Sequence, residues 1–132
     1  MIAVDTNVLV RVAVEDDHAQ AAGARRLISE AESRGEKVFL LSGVLLEMVW
    51  VLSRGYGYQR TDIAHLLDVL LSSPTYEMEN RTAVQRATFR YRMEGDFADI
   101  LFVELARDRT ARAFFSFDSK LISLFPDYAQ KI

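Results

Sequence analysis

Apolar positions along this chain come in short runs that alternate with helical stripes. Ile2 to Val4 is a short run stopping at Asp5-Thr6-Asn7, a turn or helix-start signal. Ala24, Leu27, Ile28 and Ala31 recur at i, i+3, i+4 and i+7, the spacing of an amphipathic helix that closes near Gly35. Val38 to Leu41 reads as a second buried strand. Ser42 is placed to cap a helix from Gly43 to Arg54, with Gly55 and Gly57 marking its end. Thr61 caps the next helix in the same reading, with Ile63, Leu66, Leu67, Leu70 and Leu71 on one face and Pro74 just beyond its end. A short strand follows at Tyr76 to Met78. Asn80 then opens a helix with Val84, Ala87, Thr88 and Tyr91 on one stripe. Gly95 breaks it, and Asp96 begins a mostly apolar helix through Ile100, Leu101, Val103 and Leu105. Ala113 to Phe117 reads as a further buried strand ending at Asp118, and Ser119-Lys120-Leu121 as a helix start.

Strands that are continuously apolar and alternate with helices predict an α/β fold: a central parallel β-sheet flanked by helices on both faces. With 132 residues, no repeat and no Pro-, Gly- or Ser-rich linker, the expectation is a single domain spanning 1–132. In such sheets ligands bind beyond the carboxyl ends of the strands. Asp5 and Asp118 both stand where strands end.

Composition narrows the chemistry. There is no cysteine, which removes a disulfide framework, a thiolate zinc site and a cysteine nucleophile together. No secretory leader is expected, because Asp5 breaks the apolar run after Met1, and no apolar stretch is long enough to span a bilayer. A reducing cytoplasm suits this composition. The net charge is −3, so no overall positive excess grips phosphates. All but Lys37, Lys120 and Lys131 of the 16 basic residues are arginine. Arg81, Arg86, Arg90 and Arg92 cluster, as a solvated helix face or as a phosphate-contacting rim.

The acids carry the candidate chemistry. Glu47 lies among Val44, Leu45, Leu46, Met48, Val49, Trp50, Val51 and Leu52; a helix so apolar is expected to be buried, leaving Glu47 no polar face. The plain alternative is a glutamate at a helix edge or a dimer seam, reaching solvent or pairing with an arginine. Asp5, Asp96 and Asp118 are each explicable as helix caps, with Asp99 in the first turn after Asp96. A parallel sheet brings strand-end and helix-start positions to one edge. Carboxylates about 4 Å apart repel by roughly 4 kcal/mol per pair at an effective dielectric of about 20. A divalent cation relieves that, and hard oxygen donors select Mg²⁺ or Mn²⁺. Such a site suits phosphodiester hydrolysis. The metal-free route to RNA cleavage relies on a histidine acid–base pair, and His18 and His65 are both expected on helix surfaces away from the acids.

The segments Asp5-Thr6-Asn7-Val8-Leu9, Leu46 to Leu52, Gly95 to Leu101 and Phe115-Ser116-Phe117-Asp118 occur in the order and spacing of the PIN-domain family. The chain resembles in particular its VapC branch, the toxins of toxin–antitoxin pairs. The resemblance implies a PIN-like fold with Asp5, Glu47, Asp99 and Asp118 as catalytic acids and metal ligands, and Asp96 as an additional acid. It implies Asn7 and Ser116 as groups orienting the carboxylates; Ser116 stands where the family more often has Thr. It further implies a Mg²⁺- or Mn²⁺-dependent endoribonuclease acting on transfer or ribosomal RNA, a homodimer, and a small VapB-type antitoxin. The helices from Gly43 to Arg54 and from Thr61 to Ser72 would offer surfaces for such partners, although core packing accounts for most of their residues.

Other readings fit less well. A haloacid-dehalogenase-type phosphotransferase needs a second aspartate where Asn7 stands. A receiver-type phosphorylatable domain needs paired acids after the first strand and an acid after a central one, and the second strand runs into Ser42. A non-catalytic PIN scaffold or RNA-binding module is opposed by the complete acid set.

Overall fold

The computed structural model of the chain describes residues 1–14 and 16–132. Its contacts divide into two compact units, 1–81 and 82–132. No helix among the described residues is long and apolar enough to cross a membrane.

The first unit runs β1 (Ile2–Ala3), α1 (Thr6–Ala13), α2 (His18–Ser33), β2 (Val38–Leu40), α3 (Ser42–Trp50), a π-helical turn (Val51–Gly55), α4 (Arg60–Ser72) and β3 (Tyr76–Met78). The strands form a parallel sheet in the order β1-β2-β3, with Val38 opposite both Ile2 and Tyr76. Parallel pairing follows from the helical connections, which return the chain to the same sheet end each time. Val38 and Leu40 are fully buried, as a central strand requires. Helix α1 packs against α2 and α3. The amphipathic stripe of α2 holds at Ala24, Ile28 and Ala31, while Leu27 is exposed.

Two expected caps are replaced. Ser42 is the first residue of α3, not its cap. Its backbone N–H donates to Glu79 Oε1 at 2.9 Å and its hydroxyl to the Glu79 carbonyl at 3.3 Å. A carboxylate 37 residues away in sequence therefore satisfies this helix end and couples it to the end of β3. Thr61 lies inside α4, which starts at Arg60 after Gln59; the chain already adopts helical geometry before the hydroxyl can act as a cap. The apolar stripe of α4 is borne out: Ile63, Ala64, Leu67, Leu70 and Leu71 are buried.

The second unit contains α5 (Arg81–Met93, beginning at the boundary), α6 (Phe97–Asp108), β4 (Phe114–Ser116), α7 (Ser119–Leu124) and β5 (Ala129–Lys131). Ala83, Val84, Ala87, Thr88 and Tyr91 form the buried stripe of α5. Tyr91 meets Phe97 edge to face, their ring centroids 5.5 Å apart. Strand β4 pairs in parallel with β5, Phe115 opposite Gln130 and Ser116 opposite Lys131. It is not the buried strand expected from its apolar run. Phe114 and Ser116 are half-buried, whereas Phe115 and Phe117 are exposed, so successive side chains alternate between a covered and an open face.

The arginines expected as a solvated face or phosphate rim are largely engaged within the fold. Arg81 donates to the Leu71 carbonyl and Arg86 pairs with Asp108. Arg90 donates to the Leu124 carbonyl at 2.6 Å and lies 4.2 Å from the centre of the Phe125 ring.

Candidate active site

In the first unit, Asp5 follows β1 in extended geometry and caps α1, its Oδ1 accepting from the Val8 N–H at 3.3 Å. A carboxylate has two oxygens and about four lone-pair sites, so one capping bond orients the group without exhausting it. Asn7 is exposed and, with Val8 and Arg11 of α1, lines a groove of about 260 Å³ closed on the other side by Gln20, Gly23, Ala24 and Leu27 of α2.

Glu47 corrects the sequence expectation. Helix α3 buries only one side, through Ser42, Leu45, Met48 and Val49. Gly43, Glu47 and Trp50 are exposed, Trp50 at 64%. Counting apolar residues predicted a helix covered all round; the open face contains Trp50, so Glu47 reaches solvent. The charge sits where water can solvate it, available to a ligand without a burial penalty.

In the second unit, Asp96 caps α6 with Oδ2 accepting from the Asp99 N–H at 3.0 Å. Asp118 caps α7 with Oδ1 accepting from Lys120 N–H at 2.9 Å and Leu121 N–H at 3.3 Å. Ser116 Oγ accepts from the Asp118 N–H at 2.9 Å, so its hydroxyl holds the backbone of the turn. Gly95 shapes the approach: its φ is +97°, and a Cβ there would come within 2.7 Å of Leu124 and 2.9 Å of Ile100. The Asp99 carboxyl is raised above the ordinary carboxylate range, first by partial burial and then by the negative charges of Asp96 and Asp118. These three acids thus share one electrostatic neighbourhood. Among the described residues, no three acid or histidine side chains close into a ready-made ligand cluster. The donor set is nevertheless all carboxylate oxygen, and the repulsion felt at Asp99 is what a hard divalent cation offsets. In donor type, though not in a closed cluster, these residues suit Mg²⁺ or Mn²⁺.

His18 and His65 are exposed on α2 and α4, as expected. Sequence reasoning passed over Glu104, which is 3% exposed, with Oε2 buried and without a hydrogen-bond partner. Its signal was present: Glu104 falls on the stripe of Phe97, Ile100 and Leu101 at helical spacing. Arg107, one turn on, lies 5.5 Å from the Phe125 ring centre and 4.9 Å from that of Tyr128.

A mixed α/β chain with parallel strands and acid-capped helices after β1 and β4 has the makeup of a PIN domain, and that family matches residues 2–125. The chain belongs to the PIN domain family. A VapC ribonuclease from Aquifex aeolicus (strain VF5) is 26% identical to it over 98 residues, covering 74% of this chain and 72% of that protein.

Proposed function

We propose that this chain is a VapC-like endoribonuclease, with Asp5, Glu47, Asp99 and Asp118 as the acids that hold Mg²⁺ or Mn²⁺ and Asp96 assisting. The observation that carries the reading is the acid neighbourhood around Asp99 in a member of a nuclease-bearing family. The similarity to a VapC ribonuclease supports RNA as the substrate. A divalent ion at such a site supplies an activated water and stabilises charge developing on the phosphate. The protein's own part is orientation: amide donors fix Asp5, Asp96 and Asp118, while Asp99 lends its backbone N–H to the Asp96 cap and its carboxyl caps no helix. Asn7 and Ser116 would steady the surrounding turns. Transfer or ribosomal RNA is the proposed substrate and the cytoplasm the proposed compartment. The chain would act as one domain over 1–132, as a homodimer, silenced by a VapB-type antitoxin.

The test is RNA cleavage and thermal stability on one preparation, with and without Mn²⁺ or Mg²⁺, using Asp5→Asn as control. Asp5→Asn keeps the cap and removes a charge, so cleavage should fall by at least about 100-fold with the fold intact. Full activity of this variant at saturating metal would overturn the site. Wild-type protein that neither binds metal nor cleaves would point to a non-catalytic module.

A further inference from the structure

We propose that the open surface at the end of β4, made by Phe115 on the strand and Phe117 in the bend just after it, is a base-stacking platform for single-stranded RNA entering the site at Asp118. The inference rests on the ribonuclease reading above and adds binding residues that it does not contain.

Phe115 is 49% and Phe117 72% exposed, while the residues between and before them turn inward. Phe117 follows the last residue of β4 in a bend, and two residues of chain reach at most about 7 Å, which puts the two exposed rings within the span of two successive unstacked bases. Paired aromatics on an open sheet face are a recurring means of holding single strands, because every base has a π-face. Three features favour nucleic acid over an apolar protein surface. The Arg112 guanidinium lies 5.9 Å from the centre of the Phe115 ring, placing a cation for a phosphate beside a ring for a base. Gln130, exposed and in register with Phe115 on β5, gives the face a polar edge able to hydrogen-bond a base. Phe117 also directly precedes Asp118, whose carboxylate is fixed by two amides. A base on Phe117 would leave its phosphate within a residue's length of a proposed catalytic acid.

The decisive comparison is Phe117→Ala, Phe117→Leu and Phe117→Trp against wild type. One arm follows cleavage of a single-stranded RNA with Mn²⁺. The other follows quenching of a 2-aminopurine-labelled RNA in EDTA, where no cleavage occurs. Phe117→Ala should raise KM about tenfold, leave kcat within about twofold and lose the quenching. Phe117→Trp should restore both; Phe117→Leu, apolar but without a π-face, should restore neither. Unchanged KM and quenching in Phe117→Ala, or rescue by Leu equal to that by Trp, would overturn the platform while leaving the nuclease assignment standing. Dissociation of a dimer by Phe117→Ala in sedimentation, without loss of quenching, would make the face a contact between copies and also overturn it. Should the wild type cleave nothing, the ribonuclease reading fails; the quenching arm then decides the platform by itself.

Discussion

Three of the five candidate acids do two jobs in one residue. Asp5, Asp96 and Asp118 cap helices, and the bonds that cap them also aim them. Amide and alanine substitutions should therefore separate. Asp118→Asn keeps an acceptor and should change stability by less than about 0.5 kcal/mol, whereas Asp118→Ala loses the cap and should cost about 1 kcal/mol. Chemical denaturation distinguishes the two, and equal losses would refute the capping role. Asp99 differs, because its ionised form is disfavoured by burial and by Asp96 and Asp118. Asp99→Asn should raise the metal-free melting temperature by roughly one or two degrees while abolishing any rise on adding Mn²⁺. The capping positions were legible because they depend on residues two or three apart. The exposure of Glu47 was not, since a run of apolar letters does not say which of them, here Trp50, the fold leaves open.

Among the elements, legibility follows the range of the interactions. The stripes of α2, α4 and α5 and the starts of α6 and α7 are written in local periodicity and local caps. Strand β5 has no such signal: Ala129-Gln130-Lys131 is short and mostly polar, and pairing with β4 is what makes it a strand. The Glu79 cap on α3 was hidden for the same reason. A network between elements gives a pH prediction. Tyr56 Oη donates to Asp16 Oδ2 at 2.7 Å, and Arg11 bonds both residues. The Asp16 carboxyl is thereby held below its ordinary range, first by the Tyr56 hydroxyl and further by Arg11. Because the folded value is depressed, this contribution to stability is present above the unfolded pKa and is lost as pH falls through the folded one. Tyr56→Phe should move the Asp16 titration, followed by NMR, upward toward its unfolded value; no movement would show that the hydroxyl is not its main partner. In α6, Glu104→Met removes a buried oxygen with no partner and should raise stability by about 1 kcal/mol. A large loss instead would mean that the carboxylate has a structural partner.

At the scale of the whole molecule, the fold class was legible because strand–helix alternation is a property of the entire string, and the family matches residues 2–125. Grip on RNA was less so. With net charge −3 and Arg81, Arg86 and Arg90 in contacts within the fold, the chain has no surplus of positive charge with which to engage phosphates. Affinity for single-stranded RNA should accordingly depend only modestly on salt. Two or three phosphate contacts give a log–log slope of about −2, or roughly a 15-fold loss between about 50 and 200 mM salt. A slope near −6 would instead require an extended basic track that this charge pattern does not supply.

The π-helical turn at Val51–Gly55 bears on how this sequence tolerates changes in length. It packs one more residue per turn than the α-helix it continues, and its end is fixed by Tyr56 N–H to the Val51 carbonyl and Tyr58 N–H to the Leu52 carbonyl. Deleting one residue of 51–55 would let the helix run on regularly and still bring the chain to nearly the same rotation, because five residues of π turn and four of α-helix both sum to about 400°, leaving the Tyr56 hydroxyl on the side of Asp16 and Arg11. In a scan of single-residue deletions, this turn should absorb the loss of one of its exposed residues better than the regular helices do, while loss of the fully buried Leu52 should be costly.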